Sequence, residues 1–193
     1  MRLGIVSDIH GNAAGLAAAI AAMGDVDELW CAGDIVSESW FCRHTVALLR
    51  DRGARCVKGN HDTMLLSAQG AAARRGPHVP ADLVAYLADL PHALETVANG
   101  KRVLMTHATP LAPHEEYVWP HSAELQRLGG VEADFLILGH THQAMDVQVG
   151  SLRVVNPGSA GQPVLHEGIA VLSCATLDTV TGEFRVERLP AVR

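Results

Sequence analysis

The residues able to do chemistry in this chain fall in five short clusters: Asp8-Ile9-His10, Gly33-Asp34, Gly59-Asn60-His61-Asp62, Thr106-His107 and Gly139-His140-Thr141-His142. Asp8, His10, Asp34, Asn60, His107, His140 and His142 together offer seven oxygen or nitrogen donors and no thiolate. Imidazole, carboxylate and amide in that mixture suit divalent Mn, Fe, Zn, Ni or Co better than calcium or a soft copper(I) site. Two ions with about four protein ligands each need about eight contacts, which these residues supply if one carboxylate bridges. Asp34, central in the order, is the sensible bridge. Two divalent cations bring about +4 of charge against about −2 from Asp8 and Asp34, so the pocket attracts an anion such as phosphate. The chemistry expected is hydrolysis of a phosphate ester by a hydroxide held between the ions, with Mn favoured for activity. His61 sits beside a ligand yet is surplus to the coordination count, so it is the candidate acid for the leaving group. Asp62 either orients His61 or faces the N-terminus of a helix. These two are the candidate catalytic residues.

Each cluster alone has an ordinary explanation. Asp8 could cap the following helix, Gly33-Asp34 could be a plain turn, and Asn60 could hold a left-handed position. What argues otherwise is where the clusters fall. Leu3 to Val6, Leu29 to Ala32 and Arg55 to Val57 read as short buried strands, each delivering one cluster at its end. Helical spacing through Ala13, Leu16, Ala17, Ile20 and Ala21, and again from about Ser39 to Arg52, separates them, which implies parallel pairing. Asn99-Gly100 marks a hairpin whose second strand, Arg102 to Met105, ends at His107. Phe135 to Leu138 is a further apolar strand leading into the two-histidine turn. In open α/β sheets the loops beyond the carboxyl ends of strands gather into one crevice.

Elsewhere the rhythm changes. Residues 63–92 form a candidate lid, with a Gly-, Ala- and Pro-rich mobile loop at 69–80 containing Arg74-Arg75 as solvated charges. A short helix marked by Leu83, Leu87 and Leu90 is expected to cover one edge of the site, and Ala123 to Leu128 is expected to be helical. After residue 143 the pattern alternates, giving strands at 144–149, Leu152 to Val155, Ile169 to Leu177 and Glu183 to Leu189. A parallel βα half thus joins an antiparallel half, most simply as two packed sheets with helices outside. Asn12, His114 and Tyr117 are candidate substrate contacts, with Trp119 beside Tyr117 as a base-stacking surface.

The chain has 193 residues, 48% of them hydrophobic and 19% charged, which suits one domain with a large core. Its net charge of −6 argues against a partner as long as a nucleic acid strand, which demands basic patches. The expected partner is a small phosphorylated substrate, a nucleotide among the candidates, and a homo-oligomer is a candidate assembly. Cys31, Cys42, Cys56 and Cys174 show neither metal-site nor disulfide spacing and read as buried hydrophobes in a reducing compartment. With no signal peptide or apolar run of about 18 residues, a cytoplasmic protein with no membrane contact is expected.

Taken together, Asp8-x-His10, Gly33-Asp34, Gly59-Asn60-His61-Asp62, His107 and Gly139-His140-x-His142 resemble the motifs of the calcineurin-like metallophosphoesterases. The turn Asn156-Pro157-Gly158-Ser159 looks like that of the small single-domain bacterial and archaeal branch, the YfcE-like phosphodiesterases. The resemblance implies a single domain over residues 1–193 in the α/β (α+β) class, a four-layer αββα sandwich of two mixed β-sheets flanked by helices. It also implies one ion on Asp8, His10, Asp34 and His142, a second on Asp34, Asn60, His107 and His140, and His61 as acid. By the same resemblance the two-histidine turn straddles both ions, with Thr141 facing away and replaceable. One departure stands out: relatives often continue Gly-Asp with a Gly-Tyr-Gly-Pro-like loop, whereas here Ile35-Val36-Ser37-Glu38-Ser39-Trp40 follows. The rival readings are a nuclease or nucleotide hydrolase of the family, or a protein-binding scaffold like its retromer subunit. A scaffold would be expected to have lost ligands, and this chain keeps all seven.

Overall fold

The computed structural model describes residues 1–192. In chain order the elements are β1 (Arg2–Val6), α1 (Ala13–Met23), β2 (Glu28–Cys31), α2 (Arg43–Asp51), β3 (Arg55–Cys56), α3 (Asn60–Leu66), α4 (Ala71–Arg74), α5 (Ala81–Asp89), β4 (Ala93–Ala98) and β5 (Lys101–Thr106). Then come α6 (Ala123–Arg127) with a 3-10 turn at Leu128–Gly130, β6 (Phe135–Ile137), β7 (Met145–Val149), β8 (Leu152–Asn156), β9 (Val164–His166), β10 (Ile169–Asp178) and β11 (Phe184–Pro190).

The strands form two mixed sheets. The first runs β11-β10-β1-β2-β3, with β9 also on β10; the second runs β4-β5-β6-β8-β7. β1, β2 and β3 are parallel, as are β5, β6 and β8, while β10 and β7 join antiparallel. Strand alternation divides the apolar residues between layers. In β2, Trp30 faces the second sheet, with Leu3 and Ile5 of β1 and Val103, Met105, Phe135 and Ile137 opposite. Its neighbours Leu29 and Cys31 face the other way, under Leu16, Leu49 and Leu87 of the helices. Leu136 and Val154 line the far side of the second sheet beneath Leu125 and Leu128. Helices, sheet, sheet and helix therefore stack in the αββα order expected from the resemblance.

Several local expectations change. α2 starts at Arg43 rather than Ser39, because Ser37 and Trp40 close a turn by exchanging backbone hydrogen bonds at 3.3 Å. Within the expected loop at 69–80 lies α4, and Arg74 donates to the carbonyls of Leu65 and Ser67 instead of facing solvent. α5 buries Leu83 and Leu87 in the helical layer beside Leu49 and Leu65 rather than covering the site. β9 is an element the pattern did not announce. It turns into β10 through Glu167 (φ 51°) and Gly168 (φ 80°), both left-handed as a tight two-residue hairpin requires. All four cysteines are free and buried. Among the described residues no helix is long and apolar enough to cross a membrane.

Candidate metal centre

The parallel runs β1-β2-β3 and β5-β6-β8 end at the same edge of the sandwich, and their five loops are bound to one another there. Backbone N–H groups of Ile9 and His10 donate to the Asp34 carbonyl at 2.8 and 2.9 Å, and Gly139 donates to that of His107 at 2.8 Å. The His61 N–H donates to Asp34 Oδ1 at 2.9 Å, and the His140 N–H donates to the Asp8 carboxylate at 3.1 Å. Such closeness requires glycine. A Cβ on Gly139 would lie 2.0 Å from Ser7 Oγ, and one on Gly33 (φ 94°) would lie 2.8 Å from His107 Nδ1.

Among the described residues, seven other than glycine have positive φ, and five are ligand candidates: Asp8 (53°), His10 (46°), Asp34 (53°), His140 (68°) and His142 (59°). Left-handed backbone costs an L-residue about 1 kcal/mol, so this concentration marks a constrained site rather than chance. The strain turns the donors inward. Asp8, His10 and His142 form one group able to hold a cation, Asp8, Asp34 and His107 another, and His10, Asp34 and His61 a third. Between them, His10 Nε2 lies 3.1 Å from His142 Nε2, and the latter 3.3 Å from Asp8 Oδ1. His107 Nε2 lies 3.3 Å from Asp34 Oδ2 and 3.0 Å from Asn60 Oδ1.

The residues fit divalent cations on three further grounds. Burial drives the His10 pKa down to about 4 in spite of Asp34 and Asp8, so the ring is neutral and its lone pair free at pH 7. The nitrogen of this ring turned to the other donors is Nε2, 3.8 Å from Asp34 Oδ2 and 4.0 Å from Asp8 Oδ1, while its buried Nδ1 has no hydrogen-bond partner. Two other rings are fixed by backbone carbonyls: His107 Nδ1 by Ala32 at 2.7 Å and His140 Nε2 by Glu115 at 3.2 Å. That leaves Nε2 of His107 and Nδ1 of His140 for a cation, the orienting arrangement metal-binding histidines commonly have. Burial lowers the His140 pKa as well, with His107 adding to the effect. In the metal-free protein, burial disfavours both charges of the Asp34–His107 pair, yet their attraction prevails. Asp34 is held below the usual carboxylate range, and His107 is pushed up to about 9.

His61 lies at the rim of the first group, its ring edge-on to His10 at 4.7 Å between centroids and its Nε2 3.9 Å from Asp34 Oδ2. Its Nδ1 is paired with the Glu38 carboxylate. The divergent Ile35–Trp40 loop therefore supplies a carboxylate orienting this histidine, a residue the sequence reading missed. Asp62 does not perform that role. It is fully buried and accepts from the N–H groups of Gly59, Ile35 and Val36 at 2.9, 3.2 and 3.0 Å, clamping the Asp34 loop to the start of α3. Burial, and after it the Asp34 charge, raise its pKa to about 6 against the pull of these amides.

The expected substrate contacts separate. Asn12 caps α1 by accepting from the Gly15 N–H at 2.9 Å and donates to the carbonyls of Gly161 and Val192, so its side chain is fully used. Tyr117 stacks on His140 at 3.9 Å between centroids, with Trp119 beyond it at 5.9 Å. His114 lines a cavity next to Asn60, His107 and His140, as does His92, which belongs to no motif and has no matching spacing. Thr141 is not freely replaceable. It is buried, and its hydroxyl oxygen accepts from Asn156 Nδ2 at 3.2 Å and from the Gln143 N–H at 3.3 Å.

Fold and centre together define a metallophosphoesterase architecture. The sequence matches the calcineurin-like phosphoesterase superfamily domain over residues 1–182, and the chain belongs to that family. It is 28% identical to an uncharacterised protein of Methanocaldococcus jannaschii over 96% of this chain and 85% of the relative. The fold is similar to that of a Sphaerobacter thermophilus metallophosphoesterase, with a TM-score of 0.78, 24% identity, and coverage of 100% of this chain and 90% of the other. It is also similar to the Escherichia coli phosphoesterase Yfce, with a TM-score of 0.56, 21% identity, and coverage of 98% and 100%.

Proposed function

We propose that this chain hydrolyses phosphate esters with the help of two divalent cations. Asp8, His10, Asp34 and His142 would hold one, and Asp34, Asn60, His107 and His140 the other, with manganese the preferred metal. The observation that supports this reading is that Asp8, His10, Asp34, His107 and His142 fall in groups able to hold a cation, with Asn60 and His140 against His107, and that five of these seven donors stand on left-handed backbone. Bound there, the cations supply positive charge opposite the phosphoryl oxygens and lower the pKa of water.

The remaining work falls to the protein. A water oxygen bonds to phosphorus in line with the leaving group and gives up its proton to solvent; the ester P–O bond breaks and its electron pair stays on the departing oxygen. His61 is placed to supply the proton that this oxygen needs. Its Nδ1 is held by Glu38, so Nε2 is the nitrogen turned towards Asp34 and the crevice. His61 then recovers a proton from solvent. Asp62 keeps the two loops carrying Asp34 and Asn60 in register. The buried free thiols are consistent with a reducing, cytoplasmic setting.

The test is hydrolysis of chromogenic phosphate mono- and diesters by protein stripped with chelator and replenished with Mn²⁺. Turnover should appear with Mn²⁺ and vanish on renewed chelation. If neither ester is cleaved, the reading fails. His61→Ala should keep its metal and lose about 100-fold or more in kcat.

A further inference from the structure

A cavity of about 520 Å³ opens beside the cluster, with Asn60, His107 and His140 at its inner end. None of His10, His61, His142 or Glu38 lines it, so it meets the crevice on the side away from the proposed proton donor. That position decides what it can hold. The leaving oxygen must depart within reach of His61 Nε2, and His61 does not line the cavity, so the leaving group lies on the His61 and His10 side of the crevice. What extends into the cavity is then a group that stays on phosphorus. A monoester has only oxygen there; a diester has an organic substituent.

The walls indicate its chemistry. Ala93, Leu104 and Pro110 give an apolar body, with His92 and His114 as hydrogen-bonding edges. Lys58 and Glu115 also contribute, and their opposite charges leave no net attraction for a second anion. The Lys58 ammonium is moreover bound to the Ala88 carbonyl at 2.8 Å. A volume in this range, mostly apolar with a few placed polar groups, suits an uncharged organic moiety. The 114–117 wall is fixed to the cluster by the Glu115 carbonyl on His140 and by the Tyr117 ring stacked upon it.

We infer that this cavity is the subsite for the retained group of a phosphodiester, an uncharged moiety of about nucleoside size, an inference that rests on the hydrolytic reading above. Its test pairs thymidine 5′-(4-nitrophenyl) phosphate with methyl 4-nitrophenyl phosphate, which share a leaving group, on Mn²⁺-loaded protein. The thymidine ester should be favoured about tenfold or more in kcat/KM. Ala93→Trp, which fills the cavity from an exposed position on β4, should bring the ratio close to one. His114→Ala, at an exposed position, should lower it several-fold and serves if the tryptophan variant fails to fold. Calorimetry supplies an arm independent of turnover: thymidine 5′-monophosphate should bind about tenfold tighter than methyl phosphate, a preference that Ala93→Trp loses. Equal handling of the paired compounds by the wild type in both arms overturns the subsite, as does a preference that survives both substitutions. If neither diester is cleaved but the binding preference is present and sensitive to these residues, the subsite stands and the hydrolytic reading falls.

Discussion

At Glu38 a carboxylate four positions beyond Asp34 meets an imidazole twenty-three positions further on, and the pairing gives His61 its direction. Glu38→Gln keeps the shape and removes the charge. It should lower kcat about tenfold, more with poor leaving groups, while Mn²⁺ affinity is unaffected; a leaving-group series on the two proteins measures this. Nothing local in the sequence announces the pair, because Ser37-Glu38-Ser39 reads as a polar turn and only the tertiary fold brings it over His61. The sequence leaves Asp62 either orienting His61 or facing a helix N-terminus, and the second holds: its carboxylate turns back onto the Gly59 N–H at the start of α3. The histidines and aspartates of the cluster were legible for the opposite reason. Each ends an apolar run, and strand ends share an edge whatever the loops do.

Among the elements, the two-histidine turn depends on β8. Buried Asn156 donates to the Gly139 carbonyl at 2.7 Å and to the Thr141 hydroxyl, and accepts from the Gly158 N–H at 2.8 Å. It fixes the turn that sets both His140 and His142 at positive φ. Asn156→Ala should therefore lower the melting temperature and weaken Mn²⁺ binding about tenfold or more, although the side chain is not among the proposed ligands. Metal titration with a fluorescent chelator competitor measures it; unchanged affinity would confine Asn156 to folding. The strands were readable because apolar runs and hairpin signals such as Asn99-Gly100 are local. β9 and α4 were not. The first is a short edge strand turning on a Glu-Gly pair, and the second is a single helical turn held by Arg74 rather than by a buried face.

For the molecule as a whole, the metal-free centre carries a charge balance that a cation must displace. A histidine pKa raised from 6.5 to about 9 means that His107 holds a proton through neutral pH in the absence of metal. The stability from its pairing with Asp34 is complete below about pH 6.5 and is lost as pH rises through about 9. Chelator-stripped protein should thus melt progressively lower between pH 7 and 9.5, an interval in which Mn²⁺ affinity should rise and each binding event release a proton. Calorimetric titration in buffers of different ionisation enthalpy counts those protons. None released at pH 7.5 would contradict the protonated pair.

The most direct measurement is hydrolysis of bis(4-nitrophenyl) phosphate as Mn²⁺ is added stepwise to stripped protein at concentrations well above its Kd. Two cations sharing Asp34 predict turnover that saturates near two equivalents. Saturation at one equivalent would contradict the proposed centre.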